Sequence, residues 1–452
     1  MARASADPQV RPAKGTFRDL DPRVYILSVA ALVRSSGRSA SWIFLPLILY
    51  LGYGLPLLYV GLLISALVPL SVVVNLLGGV SADRYGRRML AMLPPFGSAV
   101  AFLALYVYWH SGLGFLMALW AVVVVLINLQ QPAQNAMLGD ITRTGDRTLA
   151  FGIQRVFSNA GFALAPALGG ILAGVYGLSI VFVMSAITSA GEGIILLGFL
   201  TESYGGTERP SSPERARAPE AATKWSSGIR YPFSDRFLLS FGLLGFGLTL
   251  ATQQFGTPLS LFLESVQHLP YSQIGLVYSL NGVVVVLLQI PISWAVQRRR
   301  LLWMAVGTLL YGASFLALDV SPGFLPDLGA ITILTVGEDI TSPLQNAVLS
   351  GLSGPSRRGS YFGAYNVFTS TAQAIAPSLG TLLLSIGYPF LWLPFAFVTV
   401  LVAGGYSLMY RRQGDLREAP PGPEEPPGTP SPVTPTAAVT GGKHAGFGHS
   451  GP

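Results

Sequence analysis

Six ionisable side chains lie within long apolar stretches of this chain: Arg34, Arg38, Arg155, Glu192, Glu338 and Asp339. A charge in hydrocarbon is costly, so each is a candidate functional group. Arg34 and Arg38 are four residues apart and share one face of a helix. Helix rise puts Arg34 ~15 Å along the axis from Val24, and Glu338 and Asp339 ~20 Å into their own stretch. Acids so placed bind and release protons, and guanidinium groups pair with acids or with anionic ligands. Glu192 lies deep in its own stretch and is a further proton site, or a partner for Arg155 or another cavity base. Arg155, about two turns into its stretch, reads as an inner-leaflet arginine that snorkels to the surface or as a substrate contact. The amides Asn128, Gln131, Gln134 and Asn135 offer directional hydrogen bonds to a polar substrate, and Gln253, Gln254, Asn281 and Gln289 offer similar groups. Trp42, Tyr50, Phe255 and Tyr278 are candidate aromatic walls.

None of this is bond-making chemistry. The chain has four His, two of them near its C-terminus, and no Cys, so no His-rich or thiolate metal centre and no disulfide is expected. It has no Gly-rich Lys-Ser/Thr loop for ATP and no nucleophile-elbow pattern. Neither an enzymatic reaction nor a metal or cofactor is expected.

The elements that hold these groups are membrane spans. Charged residues make up 11% of the 452, against roughly 25% in soluble domains, and 51% are hydrophobic. Mean hydropathy is +0.54. Twelve apolar runs of about 20 residues or more, each long enough to cross ~30 Å of hydrocarbon as a helix, follow one another. Six lie within 23–200 and six within 233–411. Residues 1–22 read as a cytoplasmic N-terminal segment, 201–232 as a solvated cytoplasmic linker, and 412–452 as a disordered cytoplasmic tail rich in Pro and Gly. With the N-terminus inside, the inner segments hold 25 of the 28 Lys and Arg, the outer loops none, and Arg34, Arg38 and Arg155 fall within spans. That positive-inside pattern predicts a multi-pass plasma-membrane protein with both termini cytoplasmic. It also accounts for the net charge of +7, so no nucleic-acid partner is expected.

The two sets of six repeat each other. Pro132-Ala-Gln134-Asn135-Ala136 matches Pro343-Leu-Gln345-Asn346-Ala347 at an offset of 211, and the same offset pairs Phe151-Gly152 with Phe362-Gly363 and Ala165-Pro166 with Ala376-Pro377. Parallel half-repeats of this size belong to alternating-access transporters. Between spans 2 and 3, Gly79-Val-Ser-Ala-Asp83-Arg84-Tyr-Gly86-Arg87-Arg88 resembles the signature loop of the major facilitator superfamily. Span 5 carries Gly152, Gly161, Ala165-Pro166 and Gly169-Gly170, similar to the antiporter motif of that superfamily's drug:proton exporters, which have Gly where Ala165 stands. Gly337-Glu338, followed by Pro343, looks like the corresponding region of some multidrug exporters, and peptide symporters share part of it.

The resemblance implies an all-α membrane protein with twelve transmembrane helices in two pseudo-symmetric six-helix bundles. It implies that Asp83 latches an inner gate near Arg358 to Tyr361, with Asp140 pairing Arg87. The matching loop of the second half, Gln297 to Arg300, lacks the Asp. Because helices 1, 4, 7 and 10 line the cavity in this superfamily, Arg34 is expected to face Glu338 or Asp339 across the cleft, one of these acids carrying the proton. The superfamily's helix 4 Arg motif is absent, its place taken by the Asn128 to Asn135 amides. The function implied is proton-coupled efflux of small organic or drug-like compounds by a monomer in contact with lipid. Uptake or facilitated diffusion of an organic anion is the alternative, and a non-transporting membrane sensor a weaker one.

Overall fold

The computed structural model describes residues 20–143, 146–199, 234–352 and 358–413. The segment before Leu20, the expected linker over 201–232 and the tail beyond Gln413 lie outside them. Regular structure among the described residues is helical. The twelve helices are α1 (Pro22–Leu47, continued by a π-helical turn Ile48–Gly52), α2 (Leu57–Tyr85), α3 (Arg87–Tyr108), α4 (Leu113–Ile141), α5 (Arg147–Tyr176), α6 (Ile180–Phe199), α7 (Arg236–Thr252 and Thr257–Ser265), α8 (Tyr271–Ala295), α9 (Arg300–Val320), α10 (Phe324–Leu352), α11 (Arg358–Ile386) and α12 (Tyr388–Gln413).

Ten of these helices are apolar enough to cross a membrane on length and composition. The two that are not, α1 and α10, carry Arg34, Arg38, Glu338 and Asp339. Charge lowers their hydropathy, and neighbouring helices supply the cover that lipid cannot. The sequence predicts one unbroken span over 233–263, whereas α7 breaks at a short 3-10 turn, Gln253–Phe255. Pro258, in the first turn of the second piece, has no N–H to give, and its ring crowds the carbonyl four residues back.

Neighbouring helices run in opposite directions. The start of α1 and the end of α12 therefore share one end of the molecule, here the termini end, with the basic turns at Arg84 to Arg88 and Arg298 to Arg300. Gly86, at φ 96°, makes the first of these turns possible. In the first half α1 packs on α5 and α6, and α3 on α4 and α6. In the second half α9 packs on α10 and α12, and α7 on α11. The halves meet where α5 packs on α8 and α2 on α11.

These seams are closest at the far end. A Cβ added at Gly275 of α8 would stand 2.1 Å from the Pro166 carbonyl oxygen of α5, and one at Gly170 would stand 2.2 Å from that of Tyr271. Across the other seam, a Cβ at Gly61 of α2 would stand 2.6 Å from the Pro377 carbonyl oxygen of α11. Ser279 Oγ accepts from the Ala167 amide at 2.9 Å, and Ser65 Oγ from the Ser378 amide at 3.1 Å. Trp42 of α1 closes over Gly256 at the α7 break. Toward the termini end, a Cβ at Gly79, Gly152 or Gly363 would meet nothing within 4 Å, and Leu76, Leu77, Phe151, Leu287 and Val367 are exposed. The halves part there.

Candidate functional site

The middle of the molecule holds two cavities. The first, about 180 Å³, lies among α1, α2 and α4 and touches Thr257 of α7. Arg38, Trp42, Trp120 and Asn128 line it. The second, about 370 Å³, lies among α7, α9, α10 and α11 and is lined by Gln253, Tyr311, Glu338, Ser342 and Asn366 among others. Arg38 sits ~24 Å from the start of α1, and Glu338 ~21 Å from the start of α10, so both are near mid-helix.

Arg34 does not face helix 10. Its Nη1 lies 3.5 Å from Glu192 Oε1 on α6. Gln130 and Gln134 of α4 donate to the same oxygen at 2.7 and 2.9 Å, and Gln130 also donates to the Ala91 carbonyl of α3 at 3.3 Å. The network ties four helices of the first half together around one buried acid. Gly37 helps it form, since Ser185 of α6 approaches close enough to donate to its carbonyl at 2.8 Å. The structure does not bring Arg34 to Glu338 or Asp339, because the rotation of α1 turns it toward its own bundle. Arg38, one turn on, takes the cavity instead. Its guanidinium has no hydrogen-bond or ion-pair partner among the described residues.

On the other side, Asn281 of α8 donates to Glu338 Oε2 at 3.1 Å and to Thr335 at 2.9 Å. Asp339 is fully buried, and neither carboxyl oxygen has a hydrogen-bond partner among the described residues. Gln289 donates to its backbone carbonyl at 3.2 Å. The base that crosses toward α10 is Arg155. Rather than snorkelling away, it reaches from α5 to Gln289 Oε1 at 3.1 Å and Ser342 Oγ at 3.5 Å. Ser342 is one turn from Glu338 on the same helix face. The sequence marks Arg155 as an intramembrane base, but the acceptors that draw it across lie on other helices.

The amides divide by environment. Asn128 lines the first cavity and donates to the Val124 carbonyl, while Gln131 and Asn135 bond each other at 3.4 Å. Gln134 belongs to the buried Glu192 network. Gln254 is no cavity wall, being fully buried and bonded to the Leu250 and Ala376 carbonyls of α7 and α11. Tyr278 is likewise buried and donates to the Gly256 carbonyl at 2.9 Å.

At the termini end Arg87 pairs with Asp140, as the signature loop implies. Arg84 lies over the Tyr85 ring at 5.5 Å, while Arg88 is half-buried at the start of α3. The side chains of Asp83 and Arg358 are outside the described residues, so the latch expected of them is too. Tyr361 instead donates to Asp235, the N-cap of α7, at 2.8 Å. The antiporter-like motif lies along α5: Gly161 and Gly169 admit α1, Pro166 and Gly170 meet α8, and Gly152 faces open space.

The chain resembles known transporters along most of its length. Multidrug resistance protein 2 of Bacillus subtilis (strain 168) is 24% identical over 365 residues, covering 78% of this chain and 86% of that protein. The MFS-type transporter YqjV of the same organism is 25% identical over 379 residues, covering 80% and 87%. The solved structure of the peptide transporter POT in complex with sulfate superposes with a TM-score of 0.71 at 17% identity, covering 91% of this chain and 99% of that one. The Major Facilitator Superfamily description matches residues 27–318 and 256–445. The chain is therefore a membrane transporter, not an enzyme, and it belongs to the major facilitator superfamily.

Proposed function

We propose that this transporter exports small organic, amphipathic compounds across the plasma membrane in exchange for protons. The observation that carries the reading is the approach of Arg155, from the first half, to the helix that holds Glu338 and Asp339 in the second. Glu338, which lines the second cavity, takes up and releases the proton, and Asp339 behind it is the second acid of the relay. Proton binding changes the charge that Arg155 meets across the cleft, and so biases one arrangement of the halves over the other. The small residues along α5, where the halves slide on each other, support the antiport reading, as does similarity to a multidrug resistance protein. The basic turns at the termini end support a cytoplasmic position for that end, which makes the present arrangement inward-facing. The Arg87–Asp140 pair supports an inner gate in the loop before α3. A monomer suffices, since each chain carries both halves of the cleft.

The test is flux in proteoliposomes under an imposed pH difference, with a panel of fluorescent amphipathic compounds. Glu338→Gln and Asp339→Asn are each assayed alone, and loss of gradient-driven flux in at least one is expected. Full gradient-driven flux in both removes the carrier assignment. Flux directed inward with the protons supports uptake instead.

A further inference from the structure

We infer that the cargo carries a negative charge and that Arg38 docks it, making the cavity among α1, α2 and α4 an organic-anion site. This rests on the transport reading above and adds the substrate class. The first ground is charge accounting within the half. Arg34 and Glu192 neutralise each other inside their amide network, so Arg38 stands as a surplus positive charge beside them. No ion pair joins Arg38 to the acids of the second half among the described residues. Glu338 is bonded by Asn281, and Arg155 is the base that reaches their helix.

Access is the second ground. Arg38 is exposed to the cavity at mid-helix, yet it has no partner among the described residues. A guanidinium at that depth with neither acid nor carbonyl against it is kept at a cost, and an incoming anion repays it. The walls give the third ground. Trp42, partly exposed, and Trp120, largely buried, line the apolar walls, with Ser41, Ser71 and Asn128 as polar points among them. A guanidinium fork takes a carboxylate or sulfonate through two parallel hydrogen bonds, and the indoles take an aromatic or aliphatic body. Inorganic anions would use the fork and leave the indoles empty, so the walls favour an organic one.

The experiment is equilibrium binding to the full-length protein in lipid nanodiscs, with radiolabelled 1-naphthoate and its cationic counterpart 1-naphthylmethylammonium. The wild type is expected to bind the anion about tenfold or more tightly than the cation, the scale of a charge-assisted hydrogen bond. Arg38→Gln is expected to remove that preference, and Arg38→Lys to keep part of it. Excess inorganic phosphate is expected to displace naphthoate poorly. Equal or tighter binding of the cation by the wild type overturns the inference without recourse to any variant. So does unchanged naphthoate affinity in a well-folded Arg38→Gln protein, or displacement by phosphate as effective as that by unlabelled naphthoate. Flux separates the two claims. Arg38-dependent naphthoate binding without gradient-driven flux removes the transport reading and leaves the site. Gradient-driven flux of cations that ignores Arg38 removes the anion assignment and leaves the transporter.

Discussion

At the scale of single residues, two arginines one turn apart have opposite fates. Arg34 is spent on structure, closing a network around Glu192, whereas Arg38 is left for the cavity. The sequence marks both as costly intramembrane charges and marks Glu192 as well. It does not pair them, because spacing along one helix says nothing of the angle at which another helix presents its acid. Gln130 reads in the sequence only as one of the Asn128 to Asn135 amides, since its worth lies in an acid sixty-two residues away. The network makes a measurable claim. Glu192→Gln leaves Arg34 buried without its counter-charge, which is expected to cost about 3 kcal/mol of stability in the first half. Replacing Arg34 by Gln in the same protein should restore part of the loss. Thermal unfolding in detergent across the four-protein cycle reads the coupling, and additive losses would show that the pair does not act as a unit. A proton-carrying role for Glu192 predicts the contrary pattern, with flux lost and stability kept.

Among the elements, run length and composition made nearly everything visible. Twelve spans, their order and the pairing of the halves follow from apolar runs and from the 211-residue repeat. The break in α7 was hidden, because Gln253 and Gln254 sit in a run whose mean hydropathy still reads as one span. The helix 5 motif was visible as a string of small residues, but not as two surfaces. Gly161 and Gly169 face α1 in the same half, and Gly170 faces α8 in the other. Backbone meets backbone along the second surface, so even one methyl group must move a helix. Gly275→Ala is therefore expected to disfavour the arrangement closed at the far end by about 1–3 kcal/mol, the usual cost of overpacking. The readout is a single cysteine at Thr257, which borders the first cavity. A membrane-impermeant thiol reagent added from the far side should label Thr257→Cys faster when Gly275→Ala is present. Equal labelling rates would mean that the seam does not set the balance.

For the molecule as a whole, closure is symmetric and charge is not. Ala167 and Ser378 are 211 residues apart, and each gives its amide to a serine of the opposite half, just after a proline. Two equivalent clasps thus close the far end, one on each seam. The acids and bases follow no such rule, with Arg34, Arg38 and Glu192 in one half and Glu338 and Asp339 in the other. On the transport reading proposed above, the duplicated scaffold supplies the motion and the unmatched charges decide what it carries. If the clasps open in every cycle, holding one shut must stop transport while leaving the cavity reachable from the termini end. The chain has no Cys of its own, so an introduced pair is unambiguous. Ala167→Cys with Ser279→Cys places two thiols across the α5–α8 seam. Oxidation is expected to abolish flux, a reductant to restore it, and ligand binding from the termini end to survive both. Full flux in the cross-linked protein would mean that the far end never parts along this seam, and alternating access by rocking of the halves would have to be abandoned.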